Sequence, residues 1–283
     1  MDTQTIEKII VAALKEDLAS EDVTTRFLIP SSEISTGTIL LKENATICGM
    51  DIARQIFLKL DPTLQFKSSF KDGDTIPSDT KIIHLQGKTR AILSGERAAL
   101  NFLSFLSAIA TKTKAFVQAV SPYPVEILDT RKTTPGLRPL EKMAVRCGGG
   151  VNHRSCLDEM VFIKDNHWKA VVNFFSVGEA IRHIRRRTKK KIVAEVEDLK
   201  QFQKVLAAKP DVILLDNMTV SQIRRAVVIN RSQKKEKKIL LEASGGIHLK
   251  NVRAMAKTGV DRISVGELTH SRKAIDFSLE LTG

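Results

Sequence analysis

Residues 128–142, LDTRKTTPGLRPLEK, carry a dense set of charged side chains directly after a short apolar run. Arg131, Lys132 and Arg138 stand there among three threonines. Like charges this close repel one another, so we expect the segment to bind an anion. The planar guanidinium of Arg131, and that of Arg154 further along, suits two-point recognition of a carboxylate better than a lysine does.

Acidic residues and glycines follow the later apolar runs. Glu195 and Glu197 lie in one run, and Asp216 ends the next. The last two runs end in EASGG (242–246) and SVG (264–266), where glycines let backbone N–H groups approach a phosphate. Carboxylates beside a polyphosphate favour Mg²⁺. Each group alone has an ordinary structural explanation, but together they predict a pocket for a phosphorylated sugar, a metal and a carboxylated partner.

Six apolar runs carry these groups, and stretches with helical periodicity lie between them. Continuous apolar runs of this length are typical of buried parallel strands. The runs are 125–130, 160–166, 191–197, 212–217, 238–246 and 262–268. Strand–helix alternation predicts a (β/α) barrel, and six strands instead of eight predict that the barrel is incomplete or shortened. Ligands of such barrels bind at the carboxyl ends of the strands, where the polar groups lie.

The first 110 residues follow a different pattern. Antiparallel strands are predicted within 36–49, 63–76 and 80–93, with a turn at Asp72-Gly73. Helices are predicted over 4–18, about 50–60, and 94 to about 120. We therefore expect an α+β N-terminal domain over residues 1–112 and an α/β barrel catalytic domain over residues 113–266.

The net charge of the 283-residue chain is +13, and two basic runs, 182–191 and 231–238, supply much of it. Both precede strands, which places them at the amino-terminal face of the barrel, opposite the ligand face. A solvated rim is the favoured interpretation. Nucleic-acid binding is the alternative, but no aromatic residues are interleaved for base stacking.

The composition also bears on location. No segment reaches the ~20 apolar residues that a transmembrane helix needs. The N-terminal residues have the pattern of an amphipathic helix and not of a signal peptide. Three cysteines without a CxxC pair indicate neither a disulfide framework nor a zinc site. A cytoplasmic protein that does not act on membranes is the simplest prediction.

The segment DTRKTTPGLRPLEKMAVRCGGGVNHRSCLDEMVFIKDNH resembles the quinolinate phosphoribosyltransferases. SGERAALNFLSFLSAIAT, AEVEDL, ILLDNM, EASGGI and GVDRISVGELTHS fit that family in order and spacing. The resemblance implies conversion of quinolinate and phosphoribosyl pyrophosphate to nicotinate mononucleotide, pyrophosphate and CO₂, with Mg²⁺, in NAD biosynthesis. It also implies an N-terminal domain completed by residues 267–283, and a homodimer or higher homo-oligomer with shared active sites.

The same resemblance implies roles for individual residues. Lys132, Lys164, Glu195 and Asp216 would be catalytic, and Glu195 and Asp216 would hold the ribose hydroxyls and the metal. The quinolinate pocket would comprise Thr130, Arg131, His153, Arg154 and Lys164, with Arg97 supplied by the neighbouring subunit. Lys132 would lie near both phosphoribosyl pyrophosphate and quinolinate. Phosphate would be bound by Ser244, Gly245, Gly246, Ser264, Val265 and Gly266. The chain departs from the family pattern at Cys156, where glycine is expected, and at Met143, where an aromatic residue is common.

Three other functions stay open at this point. A relative with the same fold could use another acceptor, as the homologues associated with molybdenum transport do. Lys164, at the end of a barrel strand, could form a Schiff base in an aldolase, since cationic neighbours would lower its pKa. A nucleic-acid binder would use the basic runs.

Overall fold

The computed structural model describes residues 3–18, 21–233 and 239–282. The chain divides into two compact units, which we describe separately. The first comprises residues 1–114, 133–149 and 271–283, and the second comprises residues 115–132 and 150–270. The domain boundaries at residues 112 and 266 stay a prediction.

An antiparallel sheet of four strands forms the centre of the first unit. Its strands are β1 (Ile34–Leu41), β3 (Gln65–Lys67), β5 (Thr80–Lys88) and β12 (Phe277–Thr282), in the order β12-β1-β5-β3. Two shorter strands, β2 (Ala45–Thr46) and β4 (Thr75–Ile76), pair with each other. The predicted turn forms at Asp72-Gly73, where Gly73 has a φ of +96° that favours glycine. The antiparallel strands predicted for this region are therefore confirmed.

The helices of the first unit include the three that the sequence predicts. They are α1 (Thr3–Leu18), α2 (Val23–Leu28), α3 (Met50–Leu60), α4 (Thr89–Val120) and α5 (Arg138–Cys147). The long helix α4 begins five residues before the predicted start and continues into the second unit. Helix α5 begins with a proline in its first turn, where the missing N–H costs no hydrogen bond.

The second unit contains six parallel strands, and all six predicted strands are confirmed. They are β6 (Glu126–Leu128), β7 (Val161–Ile163), β8 (Ile192–Val196), β9 (Val212–Asp216), β10 (Leu240–Ser244) and β11 (Arg262–Ser264). Their order is β6-β11-β10-β9-β8-β7, so the first strand pairs with the last and the sheet is open between β6 and β7. This is the incomplete barrel that the strand number predicts.

Helices separate the later strands of the barrel, and side chains cap the first turn of several of them. They are α6 (Asp165–Val171), α7 (Val177–Arg185), α8 (Leu199–Ala207), α9 (Val220–Ser232), α10 (Leu249–Ala256) and α11 (Glu267–His270). Ser176 and Glu179 form the predicted capping box of α7, in which each side chain accepts a hydrogen bond from the other residue's backbone N–H. Thr219 caps α9 in the same way.

Apolar side chains fill both faces of the parallel sheet. Val193, Val212 and Leu214 form one buried cluster, and Phe162 packs against it. Ile163, Ile181 and Ile192 form another, in which a helix contributes the residue at 181. Neighbouring strand residues such as 162 and 163 belong to different clusters because successive side chains point to opposite faces. Burial on both faces explains the continuous apolar runs.

The described residues include no helix that is both long enough and apolar enough to cross a membrane.

The basic run 182–191 covers the end of α7 and the loop before β8, as predicted. Of the second run, residues 234–238 lie outside the described part of the chain.

Candidate active site

A polar cavity of about 940 Å³ lies at the carboxyl ends of the six parallel strands of the second unit. Each strand contributes a side chain to it: Thr130 after β6, Lys164 after β7, Glu195 in β8, Asp216 in β9, Ser244 in β10 and Ser264 in β11. The register aligns Ser244 with Asp216 on the neighbouring strand, and alternation turns every second residue toward the same face. The cavity therefore follows directly from the strand register.

Basic side chains form one part of the cavity wall, which we call the cationic wall: Arg131, Lys132, His153, Arg154 and Lys164. Arg154 is 7% exposed, and its guanidinium lies 4.8 Å from the ring centroid of Phe162. Burial lowers the pKa of Arg154, and repulsion from Arg131 lowers it further. A bound anion would relieve both effects.

Asp129 positions the loop that carries two of these basic residues, His153 and Arg154. Its side chain is fully buried at the end of β6. One carboxylate oxygen accepts a hydrogen bond from the backbone N–H of His153 at 2.8 Å, and the other accepts one from the side-chain amide of Asn152 at 2.6 Å. Asp129 does not line the cavity, so its role is to hold His153 and Arg154 at the cavity wall.

Two acids on adjacent strands, Glu195 and Asp216, form the acidic wall. The side chain of Glu195 is 12% exposed, and its Oε2 lies 4.0 Å from the Nζ of Lys164. Burial raises the pKa of Glu195, the positive charge of Lys164 opposes that shift, and repulsion from Asp216 adds to it. Two repelling carboxylates at one cavity edge fit the binding of hydroxyl groups or of a divalent cation.

Two glycine-containing loops form the third part of the wall. Gly245 has a φ of +86°, and a Cβ there would lie 2.2 Å from the Oδ1 of Asn217. Gly246 has a φ of +59° and no atom within 4 Å of its Cβ position, so the space beside it is open. Only glycine fits at position 245, for both conformational and steric reasons. Gly266 lines the cavity from the loop after β11.

Glu242 lines the same cavity, and the sequence reasoning missed it. The side chain is 1% exposed, and neither carboxylate oxygen accepts a hydrogen bond from the described residues. Its Oε1 lies 3.4 Å from the Nε2 of His153. A signal was available in the sequence, because a glutamate two residues before Ser244 in an apolar strand must share its face.

Some residues singled out from the sequence do not line this cavity. Val265 is fully buried and donates a backbone hydrogen bond to the Leu128 carbonyl at 2.8 Å. Glu197, the second acid of its run, is also absent from the lining. Arg97 lies on α4, where its side chain is 65% exposed and 4.0 Å from Glu96. Arg138 begins α5 and donates a hydrogen bond to Thr133.

The fold and the cavity together define an α/β-barrel enzyme whose site lies at the strand ends. Residues 109–280 match the model of the quinolinate phosphoribosyl transferase C-terminal domain, and residues 22–107 match that of the N-terminal domain. The two matches cover most of the chain. The chain belongs to the quinolinate phosphoribosyl transferase family.

Similar proteins have names that agree with this membership. The nicotinate-nucleotide pyrophosphorylase [carboxylating] of Mycobacterium leprae is 40% identical over 273 residues, which are 95% of this chain and 94% of the relative. The solved structure of nicotinate-nucleotide pyrophosphorylase from Francisella tularensis matches with a TM-score of 0.93 and 36% identity, over 100% of this chain and 98% of that one. NadC from Streptococcus pyogenes matches equally well, with the same TM-score, identity and coverage.

The environment of Glu195 predicts a pH dependence of stability. Its pKa is raised on folding above the ordinary value of 4.5. The folded protein therefore binds more protons than the unfolded chain from about pH 4.5 up to the raised pKa, and the contribution of Glu195 to stability declines as the pH rises through that window. We expect Glu195→Gln to remove this decline, so that the variant gains stability relative to wild type with rising pH. Urea unfolding at a series of pH values measures the difference.

Glu179→Gln is the matched control, with the opposite sign. Its hydrogen bonds with Ser176 lower the pKa of Glu179, so its contribution is present above the unfolded pKa and is lost as the pH falls through the folded one. A stability difference for Glu195→Gln that is constant over the same pH range contradicts the assigned environment.

Proposed function

We propose that this protein transfers the phosphoribosyl group of phosphoribosyl pyrophosphate to quinolinate, forming nicotinate mononucleotide, pyrophosphate and CO₂ in NAD biosynthesis. Membership of the family and the names of the relatives support the proposal. The observation that carries it is the single cavity in which a cationic wall, an acidic wall and two glycine-containing loops face the same space. The carboxylates of quinolinate match the cationic wall, and the phosphates and ribose hydroxyls of phosphoribosyl pyrophosphate match the loops and the acidic wall.

Quinolinate is assigned to the cationic wall. Its two adjacent carboxylates require more than one cation, and Arg131 and Arg154 repel each other until an anion lies between them. Thr130 and His153 line the same part of the cavity. Lys164 lies between this part and the acidic wall, next to Glu195. Burial of Arg154 strengthens its attraction for a carboxylate, because less water screens the charges.

Phosphoribosyl pyrophosphate is assigned to the loops and the acidic wall. Ser244, Gly245 and Gly246 from one loop, and Ser264 and Gly266 from the other, would hold phosphate groups. Val265 would support the second loop from within the core, since its side chain is buried. Lys132, whose aliphatic chain lies beside Gly266, would contact both the pyrophosphate and quinolinate.

Glu195 and Asp216 would hold the ribose hydroxyls and Mg²⁺. Repulsion by Asp216 contributes to the raised pKa of Glu195. A divalent cation stabilises two carboxylates that repel each other, so these two residues fit the binding of Mg²⁺. When bound, Mg²⁺ supplies positive charge to the pyrophosphate.

The chain's own residues account for the remaining chemistry. As the bond between ribose C1 and pyrophosphate breaks, C1 gains positive charge, which Glu195 and Asp216 stabilise electrostatically. Lys132 neutralises the departing pyrophosphate. The quinolinate nitrogen, oriented by the cationic wall, forms the new bond to C1. The quaternary ring nitrogen then stabilises the electron pair left at C2 when the 2-carboxyl group departs as CO₂, and a proton from solvent takes the place of that carboxyl group. No side chain need act as a covalent nucleophile.

The aldolase alternative loses support from the surroundings of Lys164. A Schiff-base lysine commonly lies in a desolvated, apolar pocket, whereas the Lys164 side chain is half-exposed and its Nζ lies 4.0 Å from a carboxylate oxygen of Glu195.

We also propose a homodimer or a higher homo-oligomer with shared active sites and a cytoplasmic location. The exposed side chain of Arg97 would enter the site of a neighbouring subunit. Three free cysteines, one of them exposed, suit a reducing compartment.

Two arginines of LDTRKTTPGLRPLEK offer a matched pair of variants. Arg131 lines the cavity and Arg138 does not. We expect Arg131→Ala to lower kcat/KM with quinolinate by about 10- to 100-fold, the effect of losing a charge-assisted hydrogen bond, while Arg138→Ala stays close to wild type. Formation of nicotinate mononucleotide from quinolinate and phosphoribosyl pyrophosphate, with Mg²⁺, measures both.

No nucleotide product from the wild-type protein would refute the function. Nicotinate as the productive substrate in place of quinolinate would point to another acceptor specificity.

Shared sites predict complementation between two inactive variants. Arg97→Ala removes the residue given to the neighbour, and Lys132→Ala removes a residue of the receiving site. Mixed oligomers contain some sites with neither change, so we expect mixing to restore part of the activity. No recovery, under conditions where mass spectrometry shows subunit exchange, would refute sharing.

A further inference from the structure

Two cysteines far apart in the sequence meet in the first unit. The Sγ atoms of Cys48 and Cys147 lie 3.3 Å apart, although 99 positions separate the residues. Cys48 precedes α3 and is fully buried, whereas Cys147 ends α5 and is partly exposed. Both are free thiols. The pair has no role in the proposed function, and oxidation of the two thiols is independent of that function.

One face of α4 holds both cysteines in place. The Ser107 hydroxyl accepts a hydrogen bond from the Cys48 N–H at 3.0 Å and donates one to the Cys48 carbonyl at 3.2 Å. Gly148, which follows Cys147, packs so closely that a Cβ would lie 2.4 Å from the Ala110 carbonyl oxygen. Residues 107 and 110 are three apart and share a helix face. The backbone at both cysteines is therefore anchored to the same rigid element.

The two thiols differ in reactivity. The Cys48 thiol donates its hydrogen bond to the sulfur of Cys147. This bond lowers the pKa of Cys147 and raises that of Cys48 well above its ordinary value, and burial adds to the rise at Cys48. A more exposed thiol of lowered pKa beside a buried second thiol is the arrangement of a redox-sensing cysteine and its resolving partner.

We propose that Cys48 and Cys147 form a reversible disulfide when the protein meets a hydroperoxide. The Cys147 thiolate attacks the peroxide, the O–O bond breaks, and sulfenic acid and hydroxide form. The Cys48 thiol then attacks that sulfur, the S–O bond breaks, and the departing hydroxide takes the Cys48 proton as water. Two thiols are oxidised by two electrons, and hydrogen peroxide is reduced to two waters. Disulfides of this transient kind occur in reducing compartments.

A metal site is the competing explanation of the cluster. A carboxylate oxygen of Asp72 lies within 4.8 Å of both sulfurs. Asp72 already has a structural role, since its Oδ1 accepts the backbone N–H groups of Gly49 and Met50 at 2.9 and 3.0 Å. The sulfurs are also closer than the ~3.8 Å that two thiolates about 2.3 Å from a tetrahedral zinc would have. Disulfide formation fits the geometry better.

Thiol counting by mass spectrometry tests the proposal on the full chain. The starting protein is Cys156→Ser, which leaves only the two cysteines of the pair. After treatment with hydrogen peroxide, unfolding and alkylation, we expect both cysteines to escape alkylation, a mass lower by two hydrogen atoms, and a peptide linking Cys48 to Cys147. Dithiothreitol should restore both thiols.

Two variants provide the controls. Cys48→Ser lacks the resolving thiol, so Cys147 should accumulate sulfenic acid that dimedone traps. In the wild-type protein Cys156 should remain alkylatable, because hydrogen bonds with Asp158 and Glu159 raise its pKa to about 11. The proposal is overturned if Cys147 is oxidised beyond sulfenic acid while Cys48 stays alkylatable, or if the purified protein carries one thiol-bound zinc per chain.

Discussion

The register of six parallel strands is the constraint on which the site depends. Parallel pairing aligns the strands so that their carboxyl ends meet, and the two-residue alternation decides which side chains enter the cavity. Ser244 faces the site with Asp216 because β9 and β10 pair in that register. A shift of one residue would turn every such side chain to the outer face. Backbone pairing therefore determines which side chains of the strands face the cavity.

Like charges lie close together on each wall of the cavity, and their repulsion has an energetic cost. The Arg131 and Arg154 guanidinium groups repel each other on one wall, and Glu195 and Asp216 repel each other on the next. Glu242 adds a buried carboxylate without a hydrogen-bond partner among the described residues. Binding sites commonly carry such unfavourable groups, because a ligand of complementary charge stabilises the folded protein by mass action. The like charges at this cavity therefore lower the stability of the folded protein when no ligand is bound.

Periodicity and polarity predicted the fold and most of the residues that we place at the candidate site, many of which line the cavity. The six strands were visible because burial on both faces leaves continuous apolar runs, and the site residues were visible because they end those runs. The position of the opening, between β6 and β7, was not visible in the sequence, because it depends on which strands pair across the barrel. Glu242 was missed as a single acid inside an apolar strand. The pairing of Cys48 with Cys147 depends on contacts with α4 that no local pattern reports.

We propose that the cationic wall binds two adjacent carboxylates. Titration calorimetry with benzene-1,2-dicarboxylate and with benzoate tests this proposal, because the two ligands share a ring and differ by one carboxylate. We expect the dicarboxylate to bind at least about 10-fold more tightly, the effect of one added charge-assisted hydrogen bond, and Arg131→Ala to remove most of the difference. Equal affinities, or a difference that survives Arg131→Ala, would contradict it.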